Sequence, residues 1–203
     1  MTRTLVIDTA TAACSVALIE GGTVIAQADD RVGRGHAEKL LPMIAALPDG
    51  GRAQHILVDV GPGSFTGIRV GIAAARALGL GWGASVAGYT SLSLLAAAAL
   101  ADDLGDPLAA VLEGGHGEVF MQSFSASLEP LGPLESLTPA AARNRIWRGR
   151  AVGDGLRWLT AADPRAAPAG ALPRAADAVL LPPALAQLPP RPLYGRAPDA
   201  KLP

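Results

Sequence analysis

Gly61-Pro62-Gly63-Ser64-Phe65-Thr66-Gly67-Ile68-Arg69-Val70-Gly71 joins an apolar run, Ile56-Leu57-Val58-Asp59-Val60, to an Ala-rich run from Ile72 to Leu80. The first run reads as a buried strand and the second as a helix. Glycines at such a strand-to-helix turn supply positive φ and let the backbone come close to another group. A turn of this kind ordinarily cradles phosphate at the helix N-terminus. Here the cradle is incomplete. No lysine follows the glycines, so the P-loop pattern fails, and the spacing departs from the dinucleotide-binding one. Ser64 is no nucleophile elbow, because Pro62 and Thr66 stand where that motif requires glycine. The turn has the shape of a catalytic loop without its side chains.

Upstream, residues 4–8 and 14–19 read as strands, and residues 23–28 pair back on the second through a Gly21-Gly22 hairpin. His36, Leu40, Met43, Ile44 and Leu47 then fall on one face of a helix that contains Pro42. A strand over 55–60, the glycine turn with its helix, a short strand over 85–87 and a helix over 91–101 follow. Periodicity alone supports an α/β fold with a mixed sheet. Asp106-Pro107 marks a boundary. Beyond it, strands over 108–113 and 118–124 restart the pattern, and Thr138-Pro139 opens a helix with a threonine cap and proline at the first position. From 163 onward prolines and alanines accumulate, and Pro182-Pro183 rules out one long helix. The expected division is 1–106 for a first lobe and 107–203 for a reduced second lobe with a Pro-rich tail. Residues after Asp163 are expected to tolerate change better than the first lobe.

The chain of 203 residues is half hydrophobic, enough for a packed core, and carries 17 basic against 18 acidic residues. That balance gives no electrostatic case for autonomous binding to nucleic acid or membrane. One cysteine, Cys14, excludes an internal disulfide framework and fits a reducing compartment. A single Arg3 before a short apolar run is no signal peptide, and residues 92–104 are too short and too interrupted by aspartates to span a bilayer. A soluble cytoplasmic protein is expected.

The GPGSFTGIRVG stretch resembles the signature of the bacterial TsaB (YeaZ) family. Other matches stand in order around it. Leu5 to Thr11 leading into Cys14 to Leu18 resembles the family's opening strands, and His36-Ala37-Glu38-Lys39-Leu40-Leu41-Pro42 its first helix. Gly117-Glu118-Val119-Phe120 is similar to a mid-chain GEVY, and Tyr194 to Ala200 to a C-terminal tyrosine-arginine tail. The resemblance is dense to about residue 125 and thin from there to about 190. It implies a ribonuclease-H-like, actin-like (ASKHA) fold in two lobes, the second reduced. It also implies a non-catalytic subunit that binds and supports TsaD in making threonylcarbamoyladenosine on tRNA, with TsaE as the ATPase of the larger complex. The adenosine concerned follows the anticodon of tRNAs that read A-starting codons. The alternative is an autonomous actin-like ATPase, sugar kinase or peptidase.

In an actin-like ATPase, an aspartate at the place of Asp8 positions the nucleotide's magnesium, opposite a second acidic glycine turn. Glu113-Gly114-Gly115 and Gly153-Asp154-Gly155 are the candidates for that second turn. The other reading makes Asp8 a structural cap, and no nucleotide cofactor is expected. His36, His55 and His116 lack partners at metal-ligand spacing, and Leu40, four residues after His36, cannot ligate a metal. His36 is expected to be hydrogen-bonded at the helix entry or to sit at a protein contact. Arg143, Arg145, Arg148, Arg150 and Arg157 with Trp147 and Trp158 fit either a track for a nucleic-acid backbone or a solvated arginine-rich face. Cys14 reads as a small buried hydrophobe.

Gly67, Gly71 and Ala75 recur every four residues, a stripe without side-chain bulk on the second helix. Each interior glycine costs about 1 kcal/mol relative to alanine, and close approach of another backbone would offset it. With Ile68 and Ile72, and with His36, Leu40, Met43, Ile44 and Leu47 on the first helix, this stripe is the expected face for TsaD, and for a homodimer by two-fold symmetry. The other reading is that the glycines pack the helix on its own sheet.

Overall fold

The computed structural model describes residues 2–102, 107–146, 150–160 and 171–195. Asp106, Trp147, Arg148, the proline-rich stretch at 163–170 and the tail beyond Gly195 lie outside the described residues.

Strands β1 (Arg3–Asp8), β2 (Ala13–Glu20) and β3 (Thr23–Arg31) form an antiparallel meander. The turn between β2 and β3 is Gly21-Gly22, both at positive φ (57° and 81°), as a tight two-residue hairpin requires. Helix α1 (His36–Ala45) follows, then β4 (His55–Asp59), α2 (Phe65–Trp82), β5 (Ser85–Tyr89) and α3 (Ser91–Asp102). The sheet order is β3-β2-β1-β4-β5, with β4 parallel to both β1 and β5. This is the ribonuclease-H-like order. A second sheet, built from β6 (Leu108–Gly115), β7 (Glu118–Phe124), β8 (Glu135–Leu137) and β9 (Ala151–Val152), runs β8-β7-β6-β9. It repeats the meander and one parallel strand, and goes no further among the described residues. Two short helices accompany it, α4 (Pro139–Arg145) and α5 (Leu156–Thr160), and Thr138 caps α4 by accepting from the Ala141 N–H.

Both helices of the first sheet follow their apolar pattern. On α1, Leu40 and Ile44, with Leu47 just beyond its end, are buried in a cluster with Leu5, Ile7, Val16 and Ile56. On α2, Ile68, Ile72 and Ala75 enter the same cluster. Helix α3 is apolar all round for a different reason. Leu94 joins the core under the first sheet, whereas Leu92, Leu95, Ala96 and Leu100 join Leu108, Leu112, Phe120 and Phe124 of the second. The helix is shared by both sheets.

The 107–203 segment does not stay together. A 3-10 helical segment, Ala175–Leu180, returns to the first sheet and buries Ala175, Ala176 and Ala178 against Val6, Ala17, Tyr89 and Leu94. The Ala175 N–H donates to Ser15 Oγ (2.7 Å), and Leu188 and Gly88 exchange main-chain hydrogen bonds of 2.9 and 2.6 Å. The Leu193 N–H donates to the Val60 carbonyl (2.8 Å). Within the stretch expected to be a tolerant tail, residues 175–193 thus pack on the first sheet. Alanine lets an irregular backbone lie flat on a sheet, so these contacts leave no bulky periodic pattern in the sequence.

Candidate functional site

The glycine turn and the two acidic turns of the second sheet face each other across a cleft of about 850 Å³. Ser64, at the end of the turn, caps α2 by accepting from the Gly67 N–H (3.2 Å). The turn itself is wedged against the loop after β1. A Cβ built on Gly63 would lie 2.0 Å from the Ala10 carbonyl oxygen, and one on Gly67 2.0 Å from that of Thr9. A Cβ on Gly71 would lie 2.4 Å from Thr9 Oγ1, whose hydroxyl donates to the Gly67 carbonyl (2.8 Å).

The small-residue stripe is thus an internal fitting. Close approach of another backbone is what the glycines provide, and that backbone is residue 9 of the same chain. Gly67, Ile68, Gly71, Ile72 and Ala75 are buried, as are His36, Leu40, Ile44 and Leu47, with Met43 half-buried. The residues expected to form a docking face point into the core. An apolar stripe marks burial without naming what covers it, and here the chain's own sheet covers it.

His36 takes the hydrogen-bonded alternative. Its Nε2 donates toward the carbonyls of Thr11 (3.0 Å) and Ala13 (3.1 Å), fastening the start of α1 to the turn between β1 and β2. Two carbonyl partners fix the proton on that nitrogen. Among the described residues no three His, Cys, Asp or Glu side chains gather in a metal-holding cluster.

Asp8 is withdrawn from the cleft. It is fully buried at the end of β1, where the Tyr89 hydroxyl from β5 donates to its Oδ2 (3.0 Å), while Oδ1 has no hydrogen-bond partner. Asp59 lies beside it and accepts from the Gly61 N–H (2.7 Å), the Ser91 N–H (3.2 Å) and the Ser91 hydroxyl. Burial, reinforced by the Asp59 charge, holds the Asp8 carboxyl well above the usual carboxylate range, and burial pushes Asp59 up to about 6. Asp59 has the hydrogen-bond donors, so Asp8 is the member that keeps the proton. A buried neutral acid with one orphaned oxygen is a poor magnesium ligand.

The sign of the pH dependence follows. Both carboxyls have folded pKa values above their unfolded ones, so this pair contributes most to stability below about pH 4. The contribution falls as pH rises through about 6. Asp8→Asn removes the proton requirement and keeps a donor toward Asp59. It is expected to raise stability at pH 8 by about 1–2 kcal/mol and to flatten the pH profile, as read by urea denaturation at pH 5, 6.5 and 8. An unchanged profile would show that the pair does not titrate with folding.

On the opposite wall, the two candidate acidic turns, at Glu113 and Asp154, lie side by side and engage each other. The Glu113 N–H donates to Asp154 Oδ1 (3.1 Å), the Gly155 N–H donates to the Val111 carbonyl (3.1 Å), and the Glu113 carboxylate pairs with Arg157. Two of the donors a phosphate would need are thereby used within the turn. Burial raises the Asp154 carboxyl. Arg145 likewise pairs with Glu135, and Arg157 lies 5.5 Å from the Trp158 ring, so acidic partners hold two of the clustered arginines.

One grouping was not legible beforehand. Phe65 and Tyr194 stack with centroids 5.5 Å apart, and the Arg69 guanidinium lies 3.6 Å from the Phe65 ring centre. Arg69 also donates to the Tyr194 hydroxyl from Nε (3.1 Å) and Nη2 (3.0 Å). The signature turn and the start of the tyrosine tail, more than a hundred residues apart in the chain, meet at the mouth of the cleft.

These features define a two-sheet actin-like protein whose would-be catalytic aspartate is buried and whose glycine turn is packed shut. The family model described as TsaD, tRNA N6-adenosine threonylcarbamoyltransferase, matches residues 26–137, more than half of the chain. The chain therefore belongs to this family of TsaD and TsaB (YeaZ) proteins. It is similar to the Escherichia coli tRNA threonylcarbamoyladenosine biosynthesis protein TsaB, with 37% identity over 60% of this chain and 54% of that protein. The aligned stretch spans little more than half the length of that relative. Two solved structures from Pseudomonas aeruginosa share the fold. One, an uncharacterized protein with similarity to peptidase YeaZ, has a TM-score of 0.77 and 26% identity over 97% of this chain and all of its own. The other, YeaZ, has a TM-score of 0.75 and 27% identity over 89% of this chain and 90% of its own. No described helix is long and apolar enough to cross a membrane.

Proposed function

We propose that the chain is a non-catalytic subunit in the biosynthesis of tRNA threonylcarbamoyladenosine, binding TsaD through the outward faces of α1 and α2. In this reading TsaD carries the transfer chemistry, TsaE joins the larger complex in the cytoplasm, and a second copy of this chain occupies the same face when TsaD is absent. The observation that carries the reading is the exposed apolar surface of these two helices. Leu80 is 89% exposed and Leu41 53%, and the exposed Ala73 and Ala77 share the Leu80 side of α2. The packed glycine turn, the buried Asp8 and the self-engaged acidic turns support a role without nucleotide turnover, against the autonomous ATPase or kinase. Ser64, engaged in capping and lacking an elbow, gives a peptidase no nucleophile.

The docking face proposed in this way lies on the other side of the same helices from the one the apolar stripes suggested. Its test is Ala77→Glu with Leu80→Glu, two exposed positions whose change leaves the core intact. Calorimetric titration with TsaD is expected to show affinity reduced at least a hundredfold, about 3 kcal/mol, with an unchanged melting temperature. Binding within threefold of the unaltered chain would refute the docking face.

A further inference from the structure

Among the described residues, two connections between the sheets differ in kind. The first is α3, whose buried leucines enter the cores of both sheets. The second lies at the cleft, where the chain's last described residues cross from one half to the other. Leu193 is hydrogen-bonded to Val60 of the first half, and Tyr194 stacks on Phe65. One residue later the backbone presses on the second half, since a Cβ on Gly195 would lie 2.4 Å from the Phe120 ring. Leu193, Tyr194 and Gly195 all line the cleft.

The hold on this crossing weakens abruptly along the chain. Up to Leu188 it is fixed by buried alanines and by the paired hydrogen bonds with Gly88. Beyond it, Pro189, Pro190 and Pro192 have no N–H to give. The Arg191 N–H turns back to Pro189, so Leu193 alone of residues 189–193 donates a main-chain hydrogen bond to the rest of the protein. What remains are contacts at the surface: Arg76 to the Pro190 carbonyl (2.7 Å), and the cluster of Phe65, Arg69 and Tyr194. Phe65 is 56% exposed and Tyr194 44%. Contacts of this sort open locally far more readily than a buried core does.

We propose that residues 189–195 are a clasp that holds the cleft at its present width, with Phe65, Arg69 and Tyr194 as the catch. Release of the catch lets the second sheet swing away about α3, while the anchored part of the segment stays in place. The less exposed parts of the cleft walls, Gly63 on one side and Leu112, Glu113 and Gly114 on the other, gain exposure in the released form.

Amide hydrogen exchange on the full chain tests this, comparing the unaltered protein with Tyr194→Ala, Arg69→Ala and Tyr194→Phe. Tyr194→Ala and Arg69→Ala are expected to speed exchange at least tenfold at the hydrogen-bonded cleft amides of Ser64 and Glu113, with β1, β2 and α3 unchanged. Tyr194→Phe keeps the stack but loses the bond to Arg69, so its rates should fall between. Faster exchange confined to 189–195 would overturn the proposal by making the segment a passive tail. A rise spread through β1 and β2 would overturn it too, because Tyr194 would then serve global stability.

Discussion

Ending the chain at residue 170 is expected to leave it unable to fold cooperatively. The described residues of the lost segment, 171–195, contribute no long helix or strand, yet they roof the face of the first sheet on which Val6, Ala17 and Tyr89 lie beside Leu94 of α3. Uncovering on the order of 200 Å² of apolar surface at about 25 cal/mol per Å² costs about 5 kcal/mol. Ser15 Oγ would lose the Ala175 N–H, and Gly88 both of its bonds to Leu188. Ser15 Oγ keeps its bond to Asp29, so each lost hydrogen bond adds only about 0.5–1.5 kcal/mol. Against a total stability of roughly 5–15 kcal/mol, such losses remove most of the margin. Solubility, near-UV circular dichroism and the thermal melt of the 1–170 chain measure this. A sharp melt within a few degrees of the full-length protein would show that the roof is dispensable.

The first sheet was legible because its strands carry their signals locally. β1, β2 and β4 are short apolar runs, the hairpin has its two glycines, and the α1 side chains at 40, 44 and 47 have helical spacing. Partners at a distance left weaker traces. The roof over the sheet is made of Ala175, Ala176 and Ala178, residues too small to form a recognisable stripe, embedded among prolines that suggested irregular chain. The Phe65–Tyr194 stack joins a turn to a tail that no periodicity connects. The candidate site was half legible. The glycine turn is legible, as is the absence from it of a P-loop lysine and of the dinucleotide-binding spacing. Its direction was not, since the spacing of Gly67, Gly71 and Ala75 states that something comes close but leaves open whether it is a partner or the chain's own Thr9.

That ambiguity has a direct experimental resolution on α2, where glycines in different surroundings are expected to respond with opposite sign. Gly81 lies near the end of the helix with open space around it, and nothing stands within 4 Å of an added Cβ. Gly81→Ala therefore gains helix propensity without a clash and is expected to stabilise by up to about 1 kcal/mol, some 2–4 °C in melting temperature. Gly67→Ala makes the same propensity gain, but its Cβ would stand 2.0 Å from the Thr9 carbonyl oxygen. That obstacle is backbone, in the loop that also holds Ala10 against Gly63, and no rotamer change removes it. Separating α2 from β1 opens the packing of Ile7, Val58 and Ile72. Overpacking and lost contact together outweigh the gain, for a net loss of about 3 kcal/mol or more, roughly 6–12 °C. Gly71 should fall between, because the atom it meets, Thr9 Oγ1 at 2.4 Å, is a side-chain hydroxyl that can rotate away at the expense of its bond to Gly67. Thermal melts of the three alanine variants rank the sites. If Gly67→Ala melted like the unaltered protein while losing TsaD binding, the stripe would be a partner surface after all and the internal packing described above would be wrong.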